Sequence, residues 1–304
     1  METWVLITIA AAFLQNVRSA MQKHLKGVMG TTGATFVRFG FGLPFAFLYL
    51  IVLWQVIGRP LPVPNGTFFL WAVIGGLAQI AATFLLVHLF SFRNFAVGTA
   101  YSRTEPAQAA VFGLIFLGEK ASQGTLVAIA ISVVGVMLIS VARTTLSART
   151  LVTSVFSRTA GIGLLSGTFF GLSAVAYRSA SLALAPSLPA PDYMMQASFT
   201  LGFVILLQTV VMLIWIVLRE RDELPRIAAA WKPAFVVGFV GASASFGWFM
   251  AMTLQQAAVV KVVAQVEMLF TFASSFFIFR EWINRLELLG CLLIVLGVVM
   301  LVLI

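Results

Sequence analysis

Two glutamates stand inside long apolar stretches of this 304-residue chain, Glu105 and Glu267, separated by 162 positions. Only ten acidic residues occur in the whole sequence, so two that lie well inside hydrophobic segments are unusual. A charge at the centre of a bilayer costs about 2.5–3.5 kcal/mol on insertion scales, and such a residue generally faces protein or water and serves a function. The spacing indicates an internal duplication, and the residue type indicates a polar site between the copies.

Polar and aromatic side chains accompany Glu105 at helical spacing. Tyr101, Glu105, Gln108 and Phe112 follow the pattern i, i+4, i+7, i+11, which predicts one stripe of a continuous α-helix. Lipid cannot satisfy an amide or a carboxylate, so this stripe should face the protein interior. The carboxylate could bind an amino group, take up a proton or join neighbouring helices, and the residues alone leave these roles open.

The segment around Glu267 carries a second stripe, formed by Lys261, Gln265 and Met268. Lys261 lies a few residues inside its apolar run, a position that favours snorkelling of the ammonium group toward the membrane surface. If Lys261 points inward instead, it could bind a substrate carboxylate or neutralise a buried glutamate.

Further polar residues interrupt the apolar runs and are candidates for lining an amphipathic cavity suited to a zwitterion with an apolar side chain. Each alone is more often an interhelical hydrogen bond than a ligand. They are Gln15, Asn16, Gln79, Ser173, Tyr177, Ser245 and Trp248, with Gln265 from the second stripe. His88 could relay protons, although a lone histidine near a helix end is more often structural.

The composition is that of an integral membrane protein. The chain is 61% hydrophobic and 10% charged, with a mean hydropathy of +1.04, whereas soluble domains carry about 25% charged residues. The single cysteine, Cys291, excludes a disulfide framework and a cysteine metal cluster. The sequence contains no ATP-binding loop, zinc-protease motif or nucleophile elbow. We therefore expect no enzyme activity, metal or cofactor.

The apolar runs predict an all-α fold with ten transmembrane helices. They group into a first five-helix repeat at 3–142, a polar linker at 143–159 and a second repeat at 160–304. The predicted spans are 3–24, 32–57, 68–91, 96–118, 123–142, 160–184, 192–218, 233–254, 258–280 and 285–304.

The two halves align at nearly one offset. At 162 positions Glu119 meets Glu281 and Gly135 meets Gly297, and at 160 positions Arg18 meets Arg178. Because five is an odd number, the second copy should cross the membrane upside down. Inverted repeats around a central cavity are a recurring design of secondary transporters, which hold their substrate near the membrane midplane.

The net charge of +9 is distributed unevenly between the predicted loops. Twelve lysines and arginines fall on one side of the membrane, and only Arg59 and Lys120 fall on the other. The basic side should be cytoplasmic, which places both termini outside. This distribution indicates orientation in the membrane rather than binding to nucleic acid.

The chain resembles the EamA-type branch of the drug/metabolite transporter superfamily. The resemblance rests on the two repeats, on Thr104-Glu105-Pro106 and Gly118-Glu119-Lys120, and on the basic residues Arg18, Arg178 and Arg38. Those arginines, Lys261, Glu267 and His88 are candidates for coupling or structural charges. The second repeat departs from the pattern with Met268 where Pro106 stands and Thr200 where Arg38 stands.

The resemblance implies an exporter of amino acids, related metabolites or drugs in the inner membrane. Aromatic amino acid exporters of this superfamily have the same ten-helix architecture. The leading hypothesis is a secondary transporter that exports amino acids, with aromatic or other hydrophobic ones favoured, by alternating access. The alternative is a proton-coupled multidrug exporter that uses Glu105 or Glu267, and a channel or membrane enzyme ranks below both. The expected partners are a small-molecule substrate and membrane lipid, while the oligomeric state stays open.

Overall fold

Residues 2–92, 101–142, 157–270 and 285–303 are described by the computed structural model, except for the side chains of 140–142. Within these ranges the chain forms helices and the turns between them, without a strand. The first half contains α1 Thr3–Leu25, α2 Thr31–Gly40, α3 Leu43–Ile51 with a π-helical turn Val52–Val56, α4 Gly66–Leu89, α5 Glu105–Leu117 and α6 Gln123–Ala142.

The second half repeats this series of helices. It contains α7 Arg158–Ala183 with a 3₁₀ turn Ala185–Ser187, α8 Tyr193–Arg219, the short α9 Glu223–Ala229, α10 Trp231–Leu254, α11 Ala257–Val263 and α12 Arg285–Leu303. Polar residues begin several of these helices, since the side chains of Asn65, Ser157 and Asp192 accept hydrogen bonds from free backbone amides of α4, α7 and α8. Gly118, with φ 64°, ends α5 in the left-handed region.

Seven helical segments in the described residues are long and apolar enough to cross a membrane. They are Thr3–Leu25, Thr31–Val56, Gly66–Leu89, Arg158–Ser187, Tyr193–Arg219, Trp231–Leu254 and Arg285–Leu303, and α5 and α6 are shorter apolar helices. The protein is therefore a multi-pass α-helical membrane protein. The fourth and ninth predicted spans, 96–118 and 258–280, lie partly outside the described residues. The count of ten stays a prediction.

Several sequence-based boundaries need correction. The second predicted span is interrupted at Phe41 and Gly42, and α7 already begins at Arg158, inside the predicted linker. The continuous helix predicted through Tyr101 and Glu105 is broken by a turn at Arg103 and Thr104. Tyr101 and Glu105 therefore do not share one uninterrupted helical stripe.

The two halves exchange helix contacts in a symmetric manner. The first helix of each half packs on the third spanning helix of the other half, since α1 lies against α10 and α4 lies against α7. Both pairs are antiparallel: Gly241 and Gly247 of α10 approach Arg18 and Ala11 of α1, in the reverse order. This is the arrangement expected of two copies related by a two-fold axis, and α5 of the first half contacts α11 of the second.

Glycines on α7 allow a close approach to the central segment. A Cβ atom at Gly167 would lie 2.8 Å from the carbonyl oxygen of Ser102, and one at Gly171 would lie 3.1 Å from the backbone nitrogen of Ala109. The four-residue spacing of these glycines therefore serves backbone packing. It brings α7 directly against the interruption that precedes α5.

Candidate functional site

Two interrupted helical segments meet at the centre of the molecule. In the first half a turn at Arg103 and Thr104 precedes α5, and in the second half a turn at Ala264 and Gln265 follows α11. Both turns contain hydrogen bonds of 3₁₀ type, from Thr104 N to Tyr101 O (3.2 Å) and from Glu267 N to Ala264 O (3.0 Å). Arg103 and Gln265 are equivalent at the offset of 162. The breaks thus occur at the same place in both copies.

Side chains hold the two turns against each other. The Gln265 amide donates to the Arg103 carbonyl at 3.4 Å, and its oxygen accepts from the Ser132 hydroxyl of α6. Interrupted helices at membrane depth are found where the backbone is buried in protein or lines a cavity. The interruptions are therefore a structural mark of an interior site.

Glu267 is paired with an arginine from the other half. Its two oxygens accept from the two terminal nitrogens of Arg103 at 2.9 and 3.1 Å, the bidentate geometry that fixes a carboxylate most strongly. Gln15 of α1 donates to the same carboxylate at 3.1 Å. Only 4% of Glu267 is exposed, so its carboxylate is buried at the junction of the two repeats, while Arg103 is partly exposed.

Glu105 likewise forms an ion pair with a basic residue of the opposite repeat. Lys261 Nζ lies 2.7 Å from Glu105 Oε1 and 4.9 Å from the centre of the Trp248 ring, a cation–π contact. The Trp248 indole donates to the Gln15 oxygen at 3.0 Å, so Gln15 links the two ion pairs. Lys261 therefore points inward, and snorkelling to the membrane surface is wrong for this residue.

Two further arginines are buried beside these pairs. Arg38 of α2 donates to the hydroxyls of Thr83 (3.1 Å) and Ser245 (3.3 Å). Arg18 of α1 makes one long contact to the Ser19 hydroxyl at 3.5 Å, while its Nε and Nη1 have no hydrogen-bond partner in the described part of the chain. Each arginine is 3% exposed.

Two small polar cavities lie among these charges. One, of about 40 Å³ for the centre of a water-sized sphere, borders Arg18, Arg103 and Glu267, and the other, of about 20 Å³, borders Arg38, Tyr177 and Trp248. Gln15, Phe170 and Lys261 line both cavities and separate them. Since a water needs about 10–15 Å³ on this measure, each cavity holds a few waters at most in this conformation.

Most of the residues predicted from sequence to form a site lie at these cavities. The residues that line them are Gln15, Gln79, Glu105, Ser173, Tyr177, Ser245 and Trp248, together with the charged residues Arg18, Arg38, Lys261 and Glu267. Tyr177 and Gln79 are joined at 3.1 Å, and Gln208 donates to both, which orders one wall.

The remaining predicted residues lie elsewhere. Asn16 donates to the backbone carbonyl of Glu267 at 3.1 Å, and Gln108 donates to Thr104 Oγ1 at 3.0 Å. Tyr101 packs with Ala160 in a separate cluster, and His88 stacks on Phe84 and contacts the Phe92 ring edge to face. Together with Gln265, these side chains are absent from the lining of the two cavities.

Arg178 has a different environment from its repeat equivalent Arg18. It pairs with Glu119 at 2.6 Å and donates to the carbonyls of Met252 (2.6 Å) and Gln255 (2.7 Å), with a longer contact to Thr253. These carbonyls belong to the C-terminus of α10, where a cation is favoured by the helix dipole. The contacts of Arg178 are those of a residue that joins helices.

Sequence reasoning missed Arg103, which holds Glu267, and Phe170, which separates the cavities. Two signals pointed to Arg103: a base inside an apolar run, and its alignment with the candidate Gln265. Phe170 is one of 28 phenylalanines, and nothing in its local sequence distinguishes it.

Comparison with known proteins agrees with this architecture. The EamA-like transporter family matches residues 2–141 and 157–303, one match in each half. The chain belongs to the EamA-like transporter family. It is accordingly a membrane transporter of the drug/metabolite transporter superfamily. The family resemblance seen in its sequence motifs is thus confirmed.

The fold of this EamA-like transporter is also found in solved structures, of which 27 chains match. One, described only as the crystal structure of a protein, covers 99% of this chain with a TM-score of 0.72, and 96% of its own chain is covered. The two sequences are 16% identical, so the likeness concerns the fold. No curated protein matches the sequence significantly.

Proposed function

We propose that this EamA-like protein is a secondary transporter that exports amino acids, with aromatic and other hydrophobic ones favoured, by alternating access of two inverted repeats. The observation that carries the proposal is two largely buried ion pairs, Glu105 with Lys261 and Glu267 with Arg103, each of which joins one repeat to the other. An amino acid presents the same two charges and can exchange with such pairs without changing the total charge of the site.

The surroundings of the ion pairs suit the rest of such a substrate. Phe170 and Trp248 offer apolar and aromatic surface beside the charges, and Gln15, Ser173 and Tyr177 offer hydrogen-bonding groups. Sites for drug-sized ligands enclose about 300–1,000 Å³, so the two small cavities must join and widen before a substrate fits. Displacement of Phe170 and Lys261, which separate the cavities, would join them.

The exchanged helix pairs support alternating access. If α1 moves with α10, and α4 with α7, the two antiparallel pairs can rock about the central breaks and expose the site to each side in turn. Export, rather than uptake, is supported by the resemblance to exporters. The resemblance supports an inner-membrane location, and the distribution of lysine and arginine supports both termini outside.

Transport in proteoliposomes tests the function directly. We expect counterflow of labelled phenylalanine, tyrosine, tryptophan or leucine with the wild-type protein, and a loss of about tenfold or more in Glu267→Gln, since a hydrogen bond to a charged group contributes about 1.5–3 kcal/mol. Lys120→Gln, which changes an exposed residue, is the control. The proposal is refuted if the wild-type protein transports none of these amino acids in either direction.

Orientation can be tested separately. A Cys291→Ser background lacks cysteine, and single cysteines at Glu2 and Arg226 then lie on opposite predicted faces. In intact cells an impermeant maleimide should label the Glu2→Cys variant and spare the Arg226→Cys variant. The reverse labelling would place the termini inside.

The second candidate function is a proton-coupled multidrug exporter. The observation that favours it is the presence of two carboxylates at the repeat junction, either of which could alternate between proton and substrate. Efflux measured with and without a pH gradient separates the two functions. If transport is unchanged without a gradient and in Glu105→Gln, coupling through Glu105 fails, and unitary currents in bilayers would favour a channel instead.

A further inference from the structure

The charges around the two cavities do not balance. Among the described residues that line them, four carry positive charge, Arg18, Arg38, Arg103 and Lys261, and two carry negative charge, Glu105 and Glu267. The two carboxylates pair with Arg103 and Lys261. Arg18 and Arg38 are therefore the two cations that remain without a carboxylate ion pair in the described part of the site.

Burial makes this imbalance costly. Moving an ion out of water costs several kcal/mol after relaxation, and the cost is offset only by a counter-charge and complete hydrogen bonding. The hydroxyls of Thr83 and Ser245 satisfy hydrogens of Arg38 but bring no charge. Arg18 has only the long contact to the Ser19 hydroxyl, since its Nε and Nη1 are buried and unpartnered in the described residues.

The two arginines also lie close together. Both stems cross Gly241 of α10, where an added Cβ would lie 3.3 Å from Arg38 Cγ and 3.4 Å from Arg18 Cδ. From this common point Arg18 reaches the cavity beside Glu267, and Arg38 reaches the cavity beside Trp248. Like charges on neighbouring side chains repel each other, and an anion bound by both would relieve the repulsion.

We propose that Arg18 and Arg38 form a subsite for the carboxylate of the transported molecule. The substrates are then organic acids, including amino acids, and the site excludes molecules that carry only positive charge. The proposal deepens the transport function proposed above and rests on it. Guanidinium groups match carboxylates by paired, charge-assisted hydrogen bonds. The unpartnered nitrogens of Arg18 are the donors that the substrate would satisfy.

This subsite also distinguishes the two candidate functions. A carboxylate bound by Arg18 leaves Lys261 paired with Glu105 beside Trp248, where an apolar or aromatic substituent has its contact surface. A permanently cationic drug would add a third uncompensated charge to the two already present. An amino acid export function is therefore compatible with this site, and export of cationic drugs is not.

Binding to the full-length purified protein tests the proposal with four probes: phenylalanine, 3-phenylpropionate, phenylalaninamide and chloride. We expect phenylalanine and 3-phenylpropionate to raise the melting temperature of the wild-type protein and phenylalaninamide to leave it unchanged. In Arg18→Gln, 3-phenylpropionate should bind about 10- to 100-fold more weakly, the loss expected for a charge-assisted contact of about 1.5–3 kcal/mol.

Matched variants separate charge from general damage. Arg18→Lys retains the charge and should recover part of the binding, while Lys120→Gln removes an exposed positive charge and should bind as the wild type does. Arg18→Gln without ligand should melt no lower than the wild type, since it removes a buried ion that makes no ion pair and lacks hydrogen bonds at Nε and Nη1. If that variant cannot be purified, the comparison of acid with amide on the wild-type protein decides alone.

The results that would contradict the subsite differ from those that would contradict the transport function. The subsite is overturned if the amide binds as tightly as the acid, if Arg18→Gln binds 3-phenylpropionate unchanged, or if chloride alone stabilises the protein and no organic acid competes with it. If phenylalanine is still transported in such a case, the transport function survives. If no amino acid is transported but 3-phenylpropionate binding depends on Arg18, the subsite stands and the amino acid function falls.

Discussion

Arg18 and Arg178 occupy the same position in the two repeats, yet their surroundings differ. Arg178 has a carboxylate, Glu119, and backbone carbonyls at the end of α10. Arg18 has one long contact to a neighbouring serine, and Glu281, the sequence equivalent of Glu119, lies outside the described residues. The comparison shows that duplication preserved the residue while its use diverged: one copy joins helices, and the other faces a cavity.

The largest loss of stability should come from replacing Arg178, the arginine that makes an ion pair and several hydrogen bonds. Arg178→Gln removes the ion pair and uncaps α10, and we expect the free energy of unfolding to fall by about 3–5 kcal/mol, as for other broken buried pairs. Thermal unfolding in detergent measures this, with Arg18→Gln alongside. Equal losses in the two variants would contradict the difference between the arginines.

The loss of stability on replacement should also differ between Glu267 and Glu105, by slightly less than between the two arginines. Glu267→Gln leaves Arg103 without its bidentate partner, and we expect a loss of about 3 kcal/mol, near the lower end for broken buried pairs. Glu105→Gln removes the single contact to Lys261, and its cost should be about 1 kcal/mol lower because fewer hydrogen bonds are lost. Melting curves of both variants, and of Glu267→Gln with Arg103→Gln, provide the measurement. A double variant no more stable than Glu267→Gln alone would show that the pair is not the cause.

The exchanged helix interfaces allow a third comparison. At Gly75 a Cβ would lie 2.6 Å from the buried ring of Tyr177, and at Gly247 it would lie 2.9 Å from Ala11 Cβ. We expect Gly75→Ala and Gly247→Ala to destabilise the protein by about 1–3 kcal/mol through overpacking. Gly161→Ala, with nothing within 4 Å, is the matched control. Losses confined to one interface would show that the two helix pairs are not equally tight.

The smallest effect should come from the ion pair at the membrane surface. Arg59 and Asp192 also join the two halves, but 22% of the Asp192 side chain is exposed, against 5% for Glu267. Arg59→Gln should therefore cost about 1 kcal/mol or less, and the difference should shrink as salt is added. A loss as large as that of Glu267→Gln would mean that burial does not set the order of these pairs.

The membrane fold and the duplication could be predicted because they depend on composition and spacing. Long apolar runs require helices in lipid, and the offset between Glu105 and Glu267 marks the two copies. Most candidate cavity residues were also found, since polar side chains are rare in such runs.

The helix break in the second copy and the pairing of the charges could not be predicted from local sequence. Pro106 stands at the start of α5 and would explain one break, but Met268 stands at the equivalent place in the second copy, which is broken as well. The breaks are therefore held by contacts between the turns, such as Gln265 with Arg103. Which base meets which glutamate depends on how the repeats pack. Arg103 was therefore missed, and for Lys261 the sequence favoured the membrane surface over the inward position beside a glutamate that the structure shows.

The crossed ion pairs have a consequence for the ancestry of the protein. Each copy supplies one base to the glutamate of the other, but Arg103 comes two residues before its own glutamate and Lys261 comes six before its own. The aligned positions are occupied by Gln265 and Thr99, which carry no charge. The descendants of a single gene have thus become complementary rather than identical halves. Although the two halves share a fold, their charges differ. The inward-facing and outward-facing states of a transport cycle therefore need not have equal free energies or equal lifetimes.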